Sequence, residues 1–187
     1  MQILRTTKIL ILLFIIFSLL SCTKIAENEN GNKFSYFSEQ FADLKILRYQ
    51  IPGFDKLTLD QKKLVYYLSQ AGLAGRDIMY DQNYRHNLKI RKALENIYTN
   101  YNGNKSSDDW KKFEIYLKRI WFSNGIHHHY SNDKFNPGFS SEYLEKLLLD
   151  TNTSLDLDAF DVIFSDKDLK KVNLDTSKGL VKGSAVN

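Results

Sequence analysis

Residues 106–125, SSDDWKKFEIYLKRIWFSNG, carry the clearest structural pattern in the chain. Large apolar side chains recur there at helical spacing: Trp110, Phe113, Leu117, Ile120 and Trp121. Because residues three, four and seven positions apart share a helix face, the pattern predicts an amphipathic helix that packs on a core. A serine at 106 or 107 is placed to cap its start, and the Asn-Gly pair at 124–125 predicts its end.

Three further helices are predicted around this one. Thr58-Leu59-Asp60-Gln61 has capping-box spacing and opens a helix that stops near Gly75. A second helix runs from about Asn87 to Tyr101, and another follows Ser140. The first of these helices carries one apolar stripe, formed by Leu57, Leu64, Leu68 and Ala71 with Val65 beside it.

Residues 34–54, FSYFSEQFADLKILRYQIPGF, are predicted to form a helix or a partly helical arm. Their large residues 37, 41, 44 and 47 have helical spacing, and a Pro-Gly turn signal follows. Strand alternation is missing elsewhere, apart from a weak hint at residues 180–186. The sequence therefore predicts a mainly α fold.

Composition limits the classes of function. The 187 residues suffice for one domain with a hydrophobic core, and aromatic residues make up 13% of them. The one cysteine, Cys22, excludes disulfides within the chain and zinc sites built on several thiolates. Without Arg5 and Lys8 of the first segment, 24 basic residues stand against 22 acidic ones, and no basic run with interleaved aromatics occurs. Nucleic acid is therefore not an expected partner.

The first 22 residues, MQILRTTKILILLFIIFSLLSC, have the zones of a secretory leader. A basic start precedes an apolar run at residues 9–20, which is too short for a spanning helix of about 20 apolar residues. Leu19, Ser21 and Cys22 resemble the bacterial lipobox, in which the cysteine is lipidated. We therefore expect a lipoprotein signal peptide at 1–22, a flexible tether at 23–33, and a membrane anchor at Cys22. An ordinary signal peptide is the alternative.

Three of the four histidines stand together in residues 121–135, WFSNGIHHHYSNDKF. On a strand, His127 and His129 would share a face and could hold a metal ion with a third ligand from elsewhere. A loop of hydrogen-bonding histidines is a second interpretation. The third is a polar loop that binds the backbone or amino terminus of a peptide. Its candidate substrate-binding residues are Asn124, Gly125, His127, His128, His129 and Tyr130.

Several stretches resemble one enzyme family. They are FADLKILRYQIPGFDKLTLDQKKLVYYLSQAGLAGRDI (41–78), IRKALENIYTNYNG (90–103), YLKRIWFSNGIHHHYSNDKFNPGF (116–139) and KKVNLDTSKGLVKGSAVN (170–187). They are similar to the N-terminal part of bacterial dipeptidyl peptidase III, a zinc metallopeptidase. The resemblance implies a two-lobed α+β enzyme with a wide cleft, which releases dipeptides from the amino end of oligopeptides. Its zinc is held by a His-Glu-x-x-(x)-Gly-His helix and a later glutamate.

No such zinc motif occurs in these 187 residues. The resemblance therefore implies that residues 34–187 are a helical N-terminal portion, cut before the zinc-binding region. We expect this chain to hold no zinc, to contain no catalytic residue and to be inactive alone. The implied location is the bacterial cell envelope, on a periplasmic or outer-membrane face, and a separate C-terminal piece of the enzyme is a candidate partner. The alternative is a non-catalytic envelope lipoprotein that binds a metal ion or ligand through His127–His129.

Overall fold

The computed structural model describes residues 34–175 and 180–183. The chain divides into two units, Met1–Tyr36 and Phe37–Asn187. In the described part of the first unit, the rings of Phe34 and Tyr36 meet edge to face with centroids 5.0 Å apart. The predicted signal peptide, the lipidated Cys22 and the tether lie outside the described residues.

The second unit is mainly α, as the sequence predicts. A two-stranded antiparallel hairpin comes first, and a second one comes last. Between them lie a single 3-10 turn, Phe54–Lys56, and the helices. In chain order the elements are β1 Phe37–Phe41, β2 Leu44–Leu47, α1 Leu59–Ala74, α2 Arg76–Asn83, α3 Asn87–Asn100, α4 Asp108–Ser123, α5 Ser141–Asp150, α6 Leu157–Phe164, β3 Val172–Asp175 and β4 Leu180–Gly183.

The prediction of a helical arm at the first hairpin is wrong. Phe37 pairs with Leu47 and Phe41 with Leu44 across a tight turn, in which Ala42 has a φ of 48°. Phe37 and Phe41 are four residues apart, which also fits the two-residue period of a strand, and the turn at residues 42–43 separates them from Leu44 and Leu47. An acidic rim helps to hold the hairpin on α4, because Asp43 accepts a hydrogen bond from Arg119 at 2.8 Å and Glu39 pairs with Lys118.

Side-chain caps determine where the helices begin. Thr58 and Gln61 form the predicted capping box at the start of α1. The hydroxyl of Ser107 accepts from the amide of Trp110, and Ser140 caps α5 in the same way. Asp156 caps α6, which begins where the sequence shows only a short apolar stretch among acids. These caps satisfy amides that have no partner within the helix.

The core lies where α3, α4, α5 and α6 meet. Trp110 is one of its largest buried side chains, with its ring stacked on Tyr101 at 4.8 Å and inclined to Phe113 at 5.1 Å. The predicted stripe of α4 supplies most of the buried face of that helix, although Trp121 is only partly buried. The largest fully buried side chains are Trp110, Tyr80, Tyr84, Tyr116, Phe113, Ile90, Leu94, Ile97, Leu117, Ile120, Ile126 and Leu144.

Helix α1 differs from the others, because none of its residues is buried. Its predicted stripe faces no core among the described residues. The following helix, α2, was missed by the sequence analysis, because Gly75 continues the chain in a helical conformation with a φ of −80°. Within residues 34–175 and 180–183, no helix has both the length and the apolar character needed to cross a membrane.

A matched pair of leucines tests the position of the core. Leu117 of α4 is 0% exposed, whereas Leu149 of α5 is 82% exposed. Leu117→Ala should lower the free energy of unfolding by about 2–5 kcal/mol, because a cavity replaces packed methyl groups. Leu149→Ala should change it by less than about 0.5 kcal/mol. Urea unfolding followed by tryptophan fluorescence measures both, and equal effects would contradict this placement of the core.

Candidate functional site

The histidine segment begins at a tightly fixed turn after α4. Asn124 adopts a left-handed conformation with a φ of 52°, and the amide of Gly125 reaches back to the carbonyl of Ile120 at 3.0 Å. This is the helix end that the Asn-Gly pair predicts. Both residues therefore serve the turn itself, and Gly125 is buried.

Asn87, at the start of α3, holds this turn through both ends of its amide. Its Nδ2 donates to the carbonyl of Asn124 at 3.2 Å, and its Oδ1 accepts from the amide of Ile126 at 3.0 Å. The side chain is 1% exposed and lies directly under Gly125. A Cβ at position 125 would come within 2.0 Å of the Asn87 amide, so only glycine fits there.

His127 points into the protein and is 3% exposed. Its Nε2 lies 2.8 Å from the carbonyl oxygen of Asp168, and since a carbonyl can only accept, Nε2 carries the proton. Its ring meets Tyr84 edge to face at 5.0 Å. Burial lowers the pKa of His127, and the hydrogen bond to Asp168 opposes that shift only in part. His127 is therefore a neutral brace at pH 7.

Asp168 is held from three sides. Its carboxylate accepts from the Tyr84 hydroxyl at 2.7 Å and from Arg85 at 3.4 Å, while its carbonyl receives His127. Burial and this carboxylate together raise the pKa of Tyr84. An open cavity of about 420 Å³ adjoins the cluster, lined by Tyr84, Arg85, His86, Asp158, Val162, Lys167 and Asp168.

Lys134 closes the other side of the loop. Its Nζ donates to the carbonyls of Val162 at 2.9 Å, of Ser165 at 2.6 Å, and of Lys167. Those carbonyls belong to the last turn of α6 and the residues after it, where helix carbonyls lack partners. Burial lowers the pKa of Lys134. Residues 165–171 are thus fastened to the histidine segment by polar contacts.

The two remaining histidines have different partners. His128 accepts at Nδ1 from the amides of Tyr130 at 3.2 Å and Ser131 at 3.1 Å, so it closes a local turn. The Nδ1 of His129 lies 3.5 Å from the Ser123 hydroxyl, and its ring contacts Phe122 at 5.1 Å and Tyr130 at 4.5 Å. Tyr130 is 83% exposed. His129 and Tyr130 are thus the accessible part of the loop.

The six predicted site residues are therefore close in space but differ in role. Asn124, Gly125 and His127 build the loop, His128 shapes its turn, and His129 and Tyr130 face solvent. Asn87, Tyr84 and Asp168 were not predicted as site residues, since each lies more than 30 residues from the histidine segment 121–135. Among the described residues, no group of three or more His, Cys, Asp or Glu side chains is placed to hold a metal ion.

The arrangement suits recognition through exposed rings and imidazole hydrogen bonds. No protein-family model matches the chain, and no curated protein matches it. The resemblance to dipeptidyl peptidase III therefore stays a prediction from the sequence.

The close contact beneath Gly125 yields a first test of the site. Gly125→Ala should lower the free energy of unfolding by more than about 2 kcal/mol, because the new methyl group collides with Asn87 at a φ of 149°. Gly72→Ala in α1 is the matched control, since nothing lies within 4 Å of its Cβ position. The control should be neutral or stabilising by up to about 1 kcal/mol. Urea denaturation distinguishes the two, and a harmless Gly125→Ala would refute the geometry.

The buried imidazole of His127 leads to a second prediction, which concerns how the free energy of unfolding depends on pH. Because the pKa of His127 in the folded protein lies below its ordinary value of 6.5, the folded state favours the neutral ring. Its contribution to stability is complete above pH 6.5 and is lost as the pH falls towards the folded pKa. The wild-type free energy of unfolding should therefore drop between pH 7.5 and pH 5.0 more steeply than that of His127→Gln.

Leu149→Ala is the control and should keep the wild-type pH dependence, because it changes an exposed side chain that does not titrate. Some dependence should remain in His127→Gln, since burial also lowers the pKa of His86. Urea titrations at four pH values between 5.0 and 7.5 measure these slopes. Equal slopes in wild type and His127→Gln would show that His127 is not a buried neutral base.

Proposed function

We propose that this chain is the helical, non-catalytic portion of a zinc-dependent dipeptidyl peptidase of the dipeptidyl peptidase III type. In that role it forms part of the cleft wall beside an oligopeptide substrate. The zinc ion and its activated water belong to polypeptide outside these 187 residues. In enzymes of this metal class, zinc lowers the pKa of its bound water and polarises the scissile carbonyl.

The observation that carries the proposal is that the three histidines of residues 121–135 make structural contacts. This segment is the most specific part of the family resemblance. His127 is bound to Asp168, His128 to its own turn, and His129 lies against Phe122 and Ser123. The rings of His128 and His129 contact each other at 4.5 Å, but the three histidines make hydrogen bonds to different partners. We therefore assign this segment a structural and recognition role. That role agrees with the family, in which the zinc ligands lie on other helices.

Substrate contact is assigned to the accessible end of the loop. His129 and Tyr130 offer an imidazole and a phenol hydroxyl, which can donate to and accept from peptide groups. Phe122, 41% exposed and in ring contact with His129, adds an apolar surface beside them. The turn at Asn124 and Gly125 fixes the position of Phe122, His129 and Tyr130, as a cleft wall requires.

The proposed location is the cell envelope, with a lipid anchor at Cys22. It is supported by the apolar run and the lipobox-like residues of the first segment. One lipid chain alone gives only weak membrane binding, so the multiple chains of a bacterial lipoprotein suit a stable anchor.

The proposal is tested by comparing the isolated chain with the native protein. Antibodies against this chain should precipitate from detergent-solubilised source envelopes a hydrolase that cleaves a dipeptidyl-naphthylamide and is stopped by a chelator. The purified chain with added zinc should show no hydrolysis above background. An inactive precipitate, or chelator-sensitive hydrolysis by the purified chain, would each refute the proposal.

Calorimetry with Zn²⁺ on the purified chain decides the alternative role as a metal-binding lipoprotein. We expect no tight binding. Tight binding that disappears in both His127→Ala and His129→Ala would favour the alternative.

A further inference from the structure

Helix α1 exposes large apolar side chains on every side. Leu64, Val65, Tyr66 and Tyr67 are consecutive, and successive residues of an α-helix are 100° apart. These four residues therefore occupy the whole circumference, yet each is at least 42% exposed. Leu59, Leu68 and Leu73 add further exposed apolar surface.

The charges of α1 are confined to its start. Asp60, Lys62 and Lys63 lie there, and residues 64–74, LVYYLSQAGLA, carry no charge. The hydroxyl of Ser69 is already bonded to the carbonyl of Val65 at 2.9 Å. A helix that is apolar all round belongs in a core, whereas a surface helix separates an apolar stripe from a charged face.

We infer that α1 is a core helix of a larger packed body, enclosed on opposite sides by uncharged, apolar helix faces of another polypeptide. This inference rests on the proposed function, which identifies that polypeptide as the zinc-bearing part of the same peptidase. The partner faces must also offer hydrogen-bond acceptors to the hydroxyls of Tyr66 and Tyr67, since buried hydroxyls need partners.

The shape of α1 indicates how the partner packs. Its second half has small residues at 71, 72 and 74, Gly75 follows its end, and the space above Gly72 is empty to at least 4 Å. Helix axes approach to about 8 Å where small side chains meet. The first half carries the larger rings and leucines, so a partner helix crosses close at the second half and diverges towards the first.

The exposed area is large enough for a stable interface. Seven large apolar residues of α1 are 42–68% exposed: Leu59, Leu64, Val65, Tyr66, Tyr67, Leu68 and Leu73. They present on the order of 800 Å², which is about what each partner contributes to a standard protein interface. An apolar surface of this extent on a free monomer favours association.

Two other occupants fit α1 less well. A bilayer surface takes up a helix with one apolar face and a basic opposite face. In α1 the side that carries Lys62, Lys63, Ser69 and Gln70 also carries the exposed Tyr66 and Leu73, so the apolar and polar residues are not separated. A second copy related by a two-fold axis places the same patch against itself and covers one side of the helix. Neither arrangement covers Leu64 and Tyr66 together, since they lie about 200° apart.

The test places a photo-crosslinking benzoylphenylalanine separately at Leu64, at Tyr66 and, as a control, at Leu149. The full chain is expressed in its source cells, irradiated and purified, and crosslinked peptides are identified by mass spectrometry. Both α1 positions should crosslink to sequence outside these 187 residues, and Leu149 should give at least tenfold less product. Recovery of a zinc motif in the crosslinked polypeptide would support the proposed function as well.

Each other outcome has a definite meaning. Crosslinks from one position only, to lipid, to a second copy or to another part of this chain would overturn the enclosure, as would none at all. A partner without a zinc motif would preserve the enclosure and refute the proposed function. As a second variant, Leu64→Asp should leave the urea midpoint of the isolated chain unchanged, because Leu64 is exposed, and should lower the Tyr66 crosslink yield at least tenfold.

Discussion

The amide of Asn87 is the contact on which the rest of the site depends. One side chain joins the start of α3 to the end of α4 by giving a donor to Asn124 and an acceptor to Ile126. Two helices of the core thereby fix where the chain leaves α4. Because Gly125 lies on the amide without space for a methyl group, the direction of the following residues is determined by packing as well as by hydrogen bonds.

Beyond that turn, polar side chains join the histidine segment to residues 162–168. The neutral imidazole of His127 and the partly buried ammonium of Lys134 bind backbone carbonyls in residues 162–168, and Tyr84 and Arg85 bind the Asp168 carboxylate. Such a network contributes geometric specificity more than net stability, because each group was solvated before folding. The buried Nδ1 of His127 has no hydrogen-bond partner among the described residues, which adds a cost that the surrounding contacts must offset.

The sequence was informative where one local pattern decides the structure. The stripe of α4, the capping box at Thr58 and the Asn-Gly helix end were all predicted correctly, since each depends on residues within a few positions. The helix prediction for residues 37–47 was wrong because the helical spacing of the large residues runs across a tight turn between two strands, which no glycine, proline or asparagine in the sequence marks. The roles of the histidines could not be derived, because Asn87 and Asp168 lie about 40 residues away on either side. Three adjacent histidines suggest a shared ligand, but the turn directs them to separate partners.

Helices α1 and α4 both have 16 residues, but they differ in how many of their side chains are buried by the rest of the chain. Helix α4 places Asp108, Lys111 and similar residues outward and an apolar stripe inward, so its apolar face is buried by other helices of this chain. Helix α1 has a capped start but no such segregation, and isolated helices of this length are marginal in water. Its sequence therefore satisfies the local rules of a helix, while none of its residues is buried among the described residues. The core of α3 to α6 is thus the part of this chain that positions the histidine loop, whereas α1 is the helix for which we infer an outside partner.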